Sequence, residues 1–171
     1  MKLLEGERLR ERLSKEPPLV EAFIDREAQI QMNGVDFTLR EVSGFGDEPG
    51  AIDFDNSERR TASTEPIPPD AEGWWHLAPR PYWIVYNEVV NIPEDVFALA
   101  RTRSSVLRSG AQIGTALWDS GYSGRSGSLL VVSNPAGIRI KKDARVLQLV
   151  FFELDSPAEK TYAGRYQNEN K

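Results

Sequence analysis

The sequence of 171 residues contains no cysteine and only one histidine, His76. Without cysteine the chain has no disulfide framework, no thiolate metal site and no cysteine nucleophile. A single histidine is too few for a histidine-based metal cage and leaves little basis for a Ser-His-Asp triad. No apolar run approaches the ~18 residues that a membrane-spanning helix requires, and no signal-peptide pattern is present. These absences predict a cytoplasmic protein with no membrane partner, and the length suits one domain, 1–171.

The charges are unevenly distributed along the chain. The formal net charge is −5, from 21 Lys and Arg against 26 Asp and Glu. Residues 101–145 carry eight basic and two acidic side chains, a net charge of +6, so the remainder carries −11. Binding of long nucleic acid needs a broad positive surface, so we expect no nucleic-acid partner. One local basic segment is better suited to holding a small polyanion, although solvated strand faces can have the same composition.

The first 25 residues predict a short helical segment, and most of the remaining chain predicts strands. Leucines recur between Leu3 and Leu13 among Glu and Arg, as in an amphipathic helix, and Pro17 ends the pattern. From Trp74 onward, short β-branched and apolar runs follow at roughly the 8–12-residue spacing of all-β folds. The segment 46–70 predicts a long acidic excursion with one short strand at 51–54, and its role is open. A mainly β sandwich, jelly roll or barrel is predicted, because no βαβ alternation is present.

The segment from Arg101 to Gly110 is a candidate phosphate-binding motif. Three arginines, three serines and a threonine fall within nine residues. Guanidinium groups match phosphate oxygens with paired hydrogen bonds, and short hydroxyls supply further donors. If Ser104 begins a helical turn, its first backbone N–H groups also point toward an anion. A serine-capped helix that carries exposed arginines remains an alternative.

The segment Trp118–Gly124 predicts a tight hairpin that presents Asp119 and Tyr122. A carboxylate at this position can take a proton from water if the water lies within hydrogen-bond reach. The tyrosine ring can lie against a sugar and leave no room for an added hydroxyl. An Asp-Ser-Gly turn without a catalytic role has the same composition.

A polar C-terminal segment, 160–171, contains Tyr162-Ala163-Gly164-Arg165-Tyr166-Gln167. Two aromatic rings, a glycine and a cation are typical of a lid that closes over a site. A disordered end has a similar composition.

In their order along the chain, these motifs resemble those of the dUTPase and dCTP deaminase superfamily. The most specific match is Arg103–Arg108 with Gly110, which resembles the family's Arg-Ser-Ser phosphate motif. The other stretches that carry the resemblance are Asn33–Leu39, Asp119–Gly124, Tyr162–Gln167 and Arg145–Leu149. The resemblance implies a distorted jelly-roll or β-barrel of the dUTPase-like type. It also implies a homotrimer that acts on a deoxypyrimidine nucleoside triphosphate.

One departure from the deaminase pattern favours hydrolysis of the triphosphate. In the deaminase branch the strand after the hairpin carries a glutamate that moves protons at the pyrimidine, and the matching residue here is Val131. No carboxylate lies between Asp119 and Asp143. A zinc-dependent deaminase is excluded by the lack of cysteine and the single histidine.

The resemblance therefore implies a dUTP diphosphatase that produces dUMP and pyrophosphate, with Asp119 as the general base. Mg²⁺ is expected as the cofactor, bound mainly through the triphosphate, and no residue is assigned as its ligand. Asp36 is expected to be a structural partner of an arginine. The predicted substrate-binding residues are Arg103, Ser104, Ser105, Arg108, Tyr122, Gln148, Tyr162, Arg165 and Gln167.

Three alternatives stay open from the sequence. One is a dCTP deaminase, and the second is a bifunctional deaminase and diphosphatase. The third is a non-catalytic nucleotide-binding module of the same fold.

Overall fold

Strands dominate the computed structural model, which describes all 171 residues. The helices are α1 (Gly6–Arg12), α2 (Arg26–Gln29) and α3 (Ser104–Arg108). The strands are β1 (Lys2–Leu3), β2 (Val20–Glu21), β3 (Ile30–Gln31), β4 (Gly34–Phe45), β5 (Thr64–Pro66), β6 (Trp74–Leu77), β7 (Pro81–Tyr86), β8 (Val89–Asn91), β9 (Val96–Thr102), β10 (Ala111–Gly114), β11 (Ser123–Gly124), β12 (Gly127–Val132), β13 (Ile138–Lys141) and β14 (Arg145–Glu153). The predicted mainly β class is confirmed.

One large antiparallel sheet holds most of the strands. Its order is β1-β14-β4-β7-β12-β10, with β3 and β5 also paired to β4 and with β9 paired to β14. Two smaller sheets have the orders β11-β8-β2 and β13-β6. The register shifts on β4 and β14, between Leu39 and Glu41 and between Arg145 and Leu147. Such irregularities bend the strands and let one sheet curl around a core.

The core consists of one cluster of 31 buried apolar residues. On β14, Leu147, Leu149 and Phe151 are fully buried, whereas Gln148 between them is half-buried. Successive side chains of a strand point to opposite faces, so the buried face fixes Gln148 on the other face. Burial of the apolar face therefore determines where this polar side chain lies.

The predicted N-terminal helix is confirmed as α1. Leu9, on its inner face, is fully buried. Arg12, three residues farther on and partly buried, forms ion pairs with Asp95 and Glu153, which attach the helix to the ends of β9 and β14. None of the helices is long and apolar enough to cross a membrane.

Two predicted strands are shorter in the structure than the sequence pattern indicates. In the excursion, only Ala51 forms a bridge, with Arg60, because the carboxylate of Asp53 accepts backbone and side-chain donors and turns the chain. The apolar run 113–118 predicts a strand through to Trp118, whereas β10 ends at Gly114. Trp118 then makes a single bridge to Ala98 on β9.

Candidate active site

The segment Trp118–Ser126, hereafter the Asp119 hairpin, holds an exposed carboxylate between two buried neighbours. Trp118 is buried and its Nε1 donates to Ser126 Oγ at 3.0 Å. Ser120 is also buried, and its Oγ donates to the Val96 carbonyl oxygen at 2.7 Å. Asp119 itself is exposed, and its backbone oxygen accepts from Tyr122 N at 3.1 Å. Anchoring on both sides fixes the backbone of Asp119 and leaves its side chain in solvent.

Tyr122 is buried beneath this turn and contacts the C-terminal segment. Its ring packs edge-to-face against Tyr162, with centroids 5.5 Å apart. Its hydroxyl donates to Glu169 Oε1 at 2.8 Å. Burial, and then the neighbouring Glu169 carboxylate, raise the pKa of Tyr122 above its ordinary value, so the phenol is neutral and acts as the donor.

The C-terminal segment lies directly on the Asp119 hairpin of the same chain. Tyr162 N donates to the Ser120 carbonyl oxygen at 2.7 Å. The Gln167 side-chain amide accepts from Ser123 N and donates to the Gly121 carbonyl oxygen, both at 2.9 Å. Tyr162 and Gln167, two of the predicted substrate-binding residues, therefore lie on the hairpin. Arg165 is exposed and makes no contact with it.

A cavity of about 800 Å³ opens beside Asp119. Tyr122, Tyr162 and Glu169 line it on the hairpin side, together with Leu129 of β12. Leu129 lies two residues before Val131 on the same face of that strand, so the apolar position that meets the cavity is Leu129. The two β12 residues that line the cavity, Gly127 and Leu129, carry no carboxylate.

Glu169 is a second carboxylate in the cavity that the sequence reasoning did not assign. It is half-buried, and burial raises its pKa, partly opposed by the hydrogen bond from Tyr122. It lies 47 positions from Tyr122 in the sequence. No local pattern indicates this contact, since the residue stands in a polar segment among other polar residues.

The predicted phosphate motif folds as α3, with its donors exposed. Arg103 precedes the helix, and Ser104, Ser105 and Arg108 are all exposed. Val106 is buried and anchors this short helix to the core. Together with Gln148, the four polar residues form what is called here the α3 cluster.

Asp36 positions this cluster from the adjacent strands. Strand β14 lies between β4 and β9, and Gln148 is the cross-strand partner of both Asp36 and Arg101. The Asp36 carboxylate is 2% exposed and lies 3.2 Å from Arg103 Nε and 3.4 Å from Arg145 Nη1. Burial raises the pKa of Asp36, and the two arginines act in the opposite direction. The expectation that Asp36 is a partner of an arginine is confirmed.

Behind Asp36 lies a fully buried carboxylate, Glu88, which the sequence reasoning also missed. Its oxygens accept from Thr38 N at 2.9 Å, from Thr38 Oγ1 at 2.6 Å and from Gln29 Nε2 at 2.6 Å. Gln29 Nε2 also donates to the Asp36 carbonyl oxygen at 2.9 Å. Burial raises the pKa of Glu88. The one sequence signal is the polar pair Asn87-Glu88 between two apolar strands.

The Asp119 hairpin and the α3 cluster lie at opposite ends of β9. Trp118 pairs with Ala98, which places Asp119 beside Phe97, and both line a second hollow. Arg103 follows β9 at its other end, six residues farther along the strand. At 3.3 Å per residue this corresponds to about 20 Å. One chain therefore does not bring Asp119 and the α3 cluster together.

The family model of dCTP deaminase-like proteins matches residues 3–154. The chain belongs to this family. The probable deoxyuridine 5'-triphosphate nucleotidohydrolase of Methanosarcina mazei is 48% identical over 170 residues, which covers 99% of both chains. The corresponding protein of Methanococcoides burtonii is 49% identical with the same coverage, and that of Archaeoglobus fulgidus is 42% identical over 99% of this chain and 98% of its own.

Among solved structures, the 2'-deoxycytidine 5'-triphosphate deaminase of Agrobacterium tumefaciens has a similar fold. The TM-score is 0.64 at 16% identity, over 87% of this chain and 47% of that one. This chain therefore covers about half the length of the Agrobacterium protein. At that identity the likeness concerns the fold alone, and it agrees with the jelly-roll expectation.

Proposed function

We propose that this protein hydrolyses dUTP to dUMP and pyrophosphate, with Asp119 as the general base. The observation that carries the proposal is the exposed Asp119 carboxylate at the edge of a cavity whose β12 wall is apolar. Relatives that are 42–49% identical over almost their full length are named as probable dUTP nucleotidohydrolases. Hydrolysis needs a positioned water, a base and positive charge on the phosphoryl oxygens.

In the proposed reaction Asp119 accepts a proton from a water molecule as the water oxygen attacks the α-phosphorus. The new bond joins the water oxygen to that phosphorus, and the bond to the oxygen bridging the α- and β-phosphates breaks. The electron pair leaves with the bridging oxygen, so the products are dUMP and pyrophosphate. Asp119 supports this role because it is exposed and anchored by Trp118 and Ser120.

The site is proposed to be composite and to form between neighbouring chains of a homotrimer. Asp119 and Arg103 of one chain are about 20 Å apart along β9. The cations of α3 are thus remote from a phosphate beside Asp119 in the same chain. A closed ring of copies repeats one heterologous interface and places the α3 cluster of one chain against the Asp119 hairpin of the next. Arg103, Ser104, Ser105, Arg108 and Gln148 then bind the phosphates.

Selection of the base is assigned to backbone groups of the Asp119 hairpin and to the ring of Tyr122. The ring is held in place by Tyr162 and Glu169, so it forms a fixed surface against the deoxyribose. A fixed ring excludes a 2′-hydroxyl by contact. Tyr162 and Gln167 support this surface by packing on the hairpin, and Arg165 is proposed to reach phosphate from the exposed side of the segment.

Mg²⁺ is proposed to enter bound to the triphosphate. The chain has no group of three or more His, Cys, Asp or Glu side chains that could hold a metal ion. Mg²⁺ prefers oxygen ligands and usually keeps several waters, and phosphate oxygens supply such ligands directly. When bound, the ion withdraws charge from the phosphoryl oxygens.

Subunit complementation tests the base and the composite site together. Asp119→Asn and Arg103→Ala are each expected to lower pyrophosphate release from dUTP by at least about 100-fold. When the two variants are unfolded together and refolded in equal amounts, about one quarter of the sites combine an intact Asp119 with an intact Arg103 from the neighbouring chain. About a quarter of wild-type activity is therefore expected. No recovery in a mixed trimer contradicts the composite site, and a fully active Asp119→Asn contradicts the base.

Product analysis with dUTP, dCTP, dTTP and UTP tests the substrate. Pyrophosphate release is expected with dUTP and not with UTP. Ammonia release from dCTP would instead favour the deaminase or the bifunctional enzyme. Tight binding of dUTP without turnover would favour a non-catalytic module.

A further inference from the structure

The excursion after β4 is an ordered ribbon, residues 46–63. It extends the pairing of β4 with β5, because Gly46 N donates to the Ser63 carbonyl oxygen at 2.9 Å. Farther out, Ala51 and Arg60 exchange two backbone hydrogen bonds, of 2.8 and 2.9 Å. Two paired points along its length fix the register of the ribbon, and with it the backbone position of Arg60.

The tip of the ribbon is closed by its own polar groups. Asp53 accepts from Ser57 Oγ at 3.1 Å and from Glu58 N at 3.0 Å, and Asp55 accepts from Ser57 N at 3.1 Å. Such side-chain acceptors replace the missing ladder bonds and define a turn. Two of the acidic residues of the excursion, Asp53 and Asp55, therefore stabilise its turn.

The ribbon forms one wall of the cavity beside Asp119. Across the cavity from it lie the Asp119 hairpin and Leu129 of β12. The ribbon residues that line the cavity are Gly50, Ile52, Arg60, Thr61 and Ala62. This segment was left without a role by the sequence, and the structure places it at the candidate site.

The charges that line the cavity are unequal in sign. Asp119 and Glu169 are the two carboxylates, and Arg60 is the one cation. Arg60 is exposed and takes part in none of the nine ion pairs of the chain. An anionic phosphate beside two carboxylates is repelled unless a cation faces it. A free guanidinium on a fixed backbone meets this requirement.

We infer that Arg60 binds the phosphate next to the deoxyribose and is a phosphate-binding residue contributed by the same chain as Asp119. The inference rests on the proposed function and adds a second source of positive charge to the site. The α3 cluster of the neighbouring chain then meets the outer phosphates, and Arg60 meets the α-phosphate where the water attacks. A planar guanidinium binds two phosphate oxygens at once, whereas a lysine offers a point charge.

Binding measurements with Arg60→Ala, Arg60→Lys and the control Arg59→Ala test this inference. Arg59 is the adjacent arginine on the ribbon and does not line the cavity. Calorimetry uses dUMP, a non-hydrolysable α,β-imido analogue of dUTP, and deoxyuridine. Arg60→Ala is expected to weaken both nucleotides about 10–100-fold and to leave deoxyuridine unchanged. Arg60→Lys is expected to lose less, and Arg59→Ala is expected to match the wild type.

Other outcomes overturn the inference in distinguishable ways. If Arg60→Ala and Arg59→Ala bind the nucleotides equally well, and the wild type hydrolyses dUTP, the phosphate-binding role of Arg60 is contradicted and the proposed function is not. Equal loss of deoxyuridine and dUMP binding in Arg60→Ala would mean that the residue packs the wall and does not contact phosphate. A wild type that binds neither nucleotide and hydrolyses no dUTP would overturn the proposed function as well.

Discussion

The two ends of β9 present reactive side chains in different ways. At one end the Asp119 carboxylate is exposed, and its position is determined by buried neighbours and by backbone hydrogen bonds. At the other end Arg103 is held by a buried carboxylate, Asp36, on a strand of the main sheet. A general base must have its proton-accepting oxygen within reach of a water molecule. A cation that binds phosphate must have its N–H groups held in a fixed direction. The support at each end thus fits the role proposed for it.

The support also differs in its origin along the chain. The Asp119 hairpin is anchored on β9 and is also held by the C-terminal segment, through Tyr162, Gln167 and Glu169. The α3 cluster is stabilised by β4, through Asp36 and the buried Glu88 network behind it. We therefore expect changes in β4 to affect phosphate binding and overall stability together. Changes in the C-terminal segment should affect the hairpin alone.

Asp36→Asn is expected to have the largest effect in this comparison. The change keeps the shape of the side chain but leaves Arg103 and Arg145 without the carboxylate that directs them. We expect KM for dUTP to rise about tenfold and the free energy of unfolding to fall by about 1–3 kcal/mol, with a smaller change in kcat. Steady-state kinetics and urea unfolding measure these effects.

Asp47→Asn serves as the control, because it removes the same charge from an exposed carboxylate. It should leave KM and stability near the wild-type values. If Asp36→Asn changes stability but leaves KM unchanged, Asp36 supports the sheet and does not direct the arginines for the phosphate binding proposed above.

Features that depend on neighbours in the sequence could be predicted. The amphipathic α1, the α3 turn after Arg103 and the tight turn at Asp119 all have local patterns, and all three are present. The flanks of the Asp119 turn pair with β9 and β8 and not with each other, so the two-stranded hairpin that the sequence predicts is not formed. The expectation that Asp36 partners an arginine did not specify which one, and Arg103 is 67 positions away in the sequence. Periodicity and turn chemistry act within a few residues. They therefore predict helices, strands and turns, but not which distant segments contact each other.

Features that depend on long-range register could not be predicted. Glu88 contacts Thr38 across 50 positions, and Glu169 contacts Tyr122 across 47. Arg60 lines the cavity only because the ribbon continues the pairing of β4 with β5. A charged residue in a polar stretch has no periodic signal, and its role becomes visible only when the sheet brings distant segments together.

Gly121→Ala tests the other end of β9 and is expected to have an intermediate effect. Gly121 has a φ of +87°, and an added Cβ would lie 2.6 Å from Thr161 Cβ and 3.1 Å from Tyr162 N. We expect the C-terminal segment to leave the hairpin and the free energy of unfolding to fall by about 1–2 kcal/mol. Limited proteolysis of residues 161–169 and thermal unfolding report the two effects separately.

Gly73→Ala is a matched control for the backbone strain. Gly73 has a φ of +82°, and an added Cβ there would meet nothing within 4 Å. It should lose stability from the left-handed backbone conformation alone, without exposing the C-terminal segment to protease. Equal proteolysis of the two variants would show that the segment is not held by its contact with Gly121.

Glu169→Gln is expected to have the smallest effect and concerns how pH acts on the hairpin. Burial raises the pKa of Glu169 in the folded chain, so folding favours its protonated form. Its contribution to stability is therefore full below the ordinary carboxyl pKa and declines as pH rises through the folded pKa. Because the side chain is half-exposed, the change in the free energy of unfolding should stay below about 1 kcal/mol.

Unfolding of the wild type and of Glu169→Gln from pH 4 to 8 should show the wild type losing stability relative to the variant as pH rises. Glu159→Gln, at an exposed position nearby, should run parallel to the wild type. A parallel course for Glu169→Gln as well would mean that the contact with Tyr122 does not depend on the charge of Glu169.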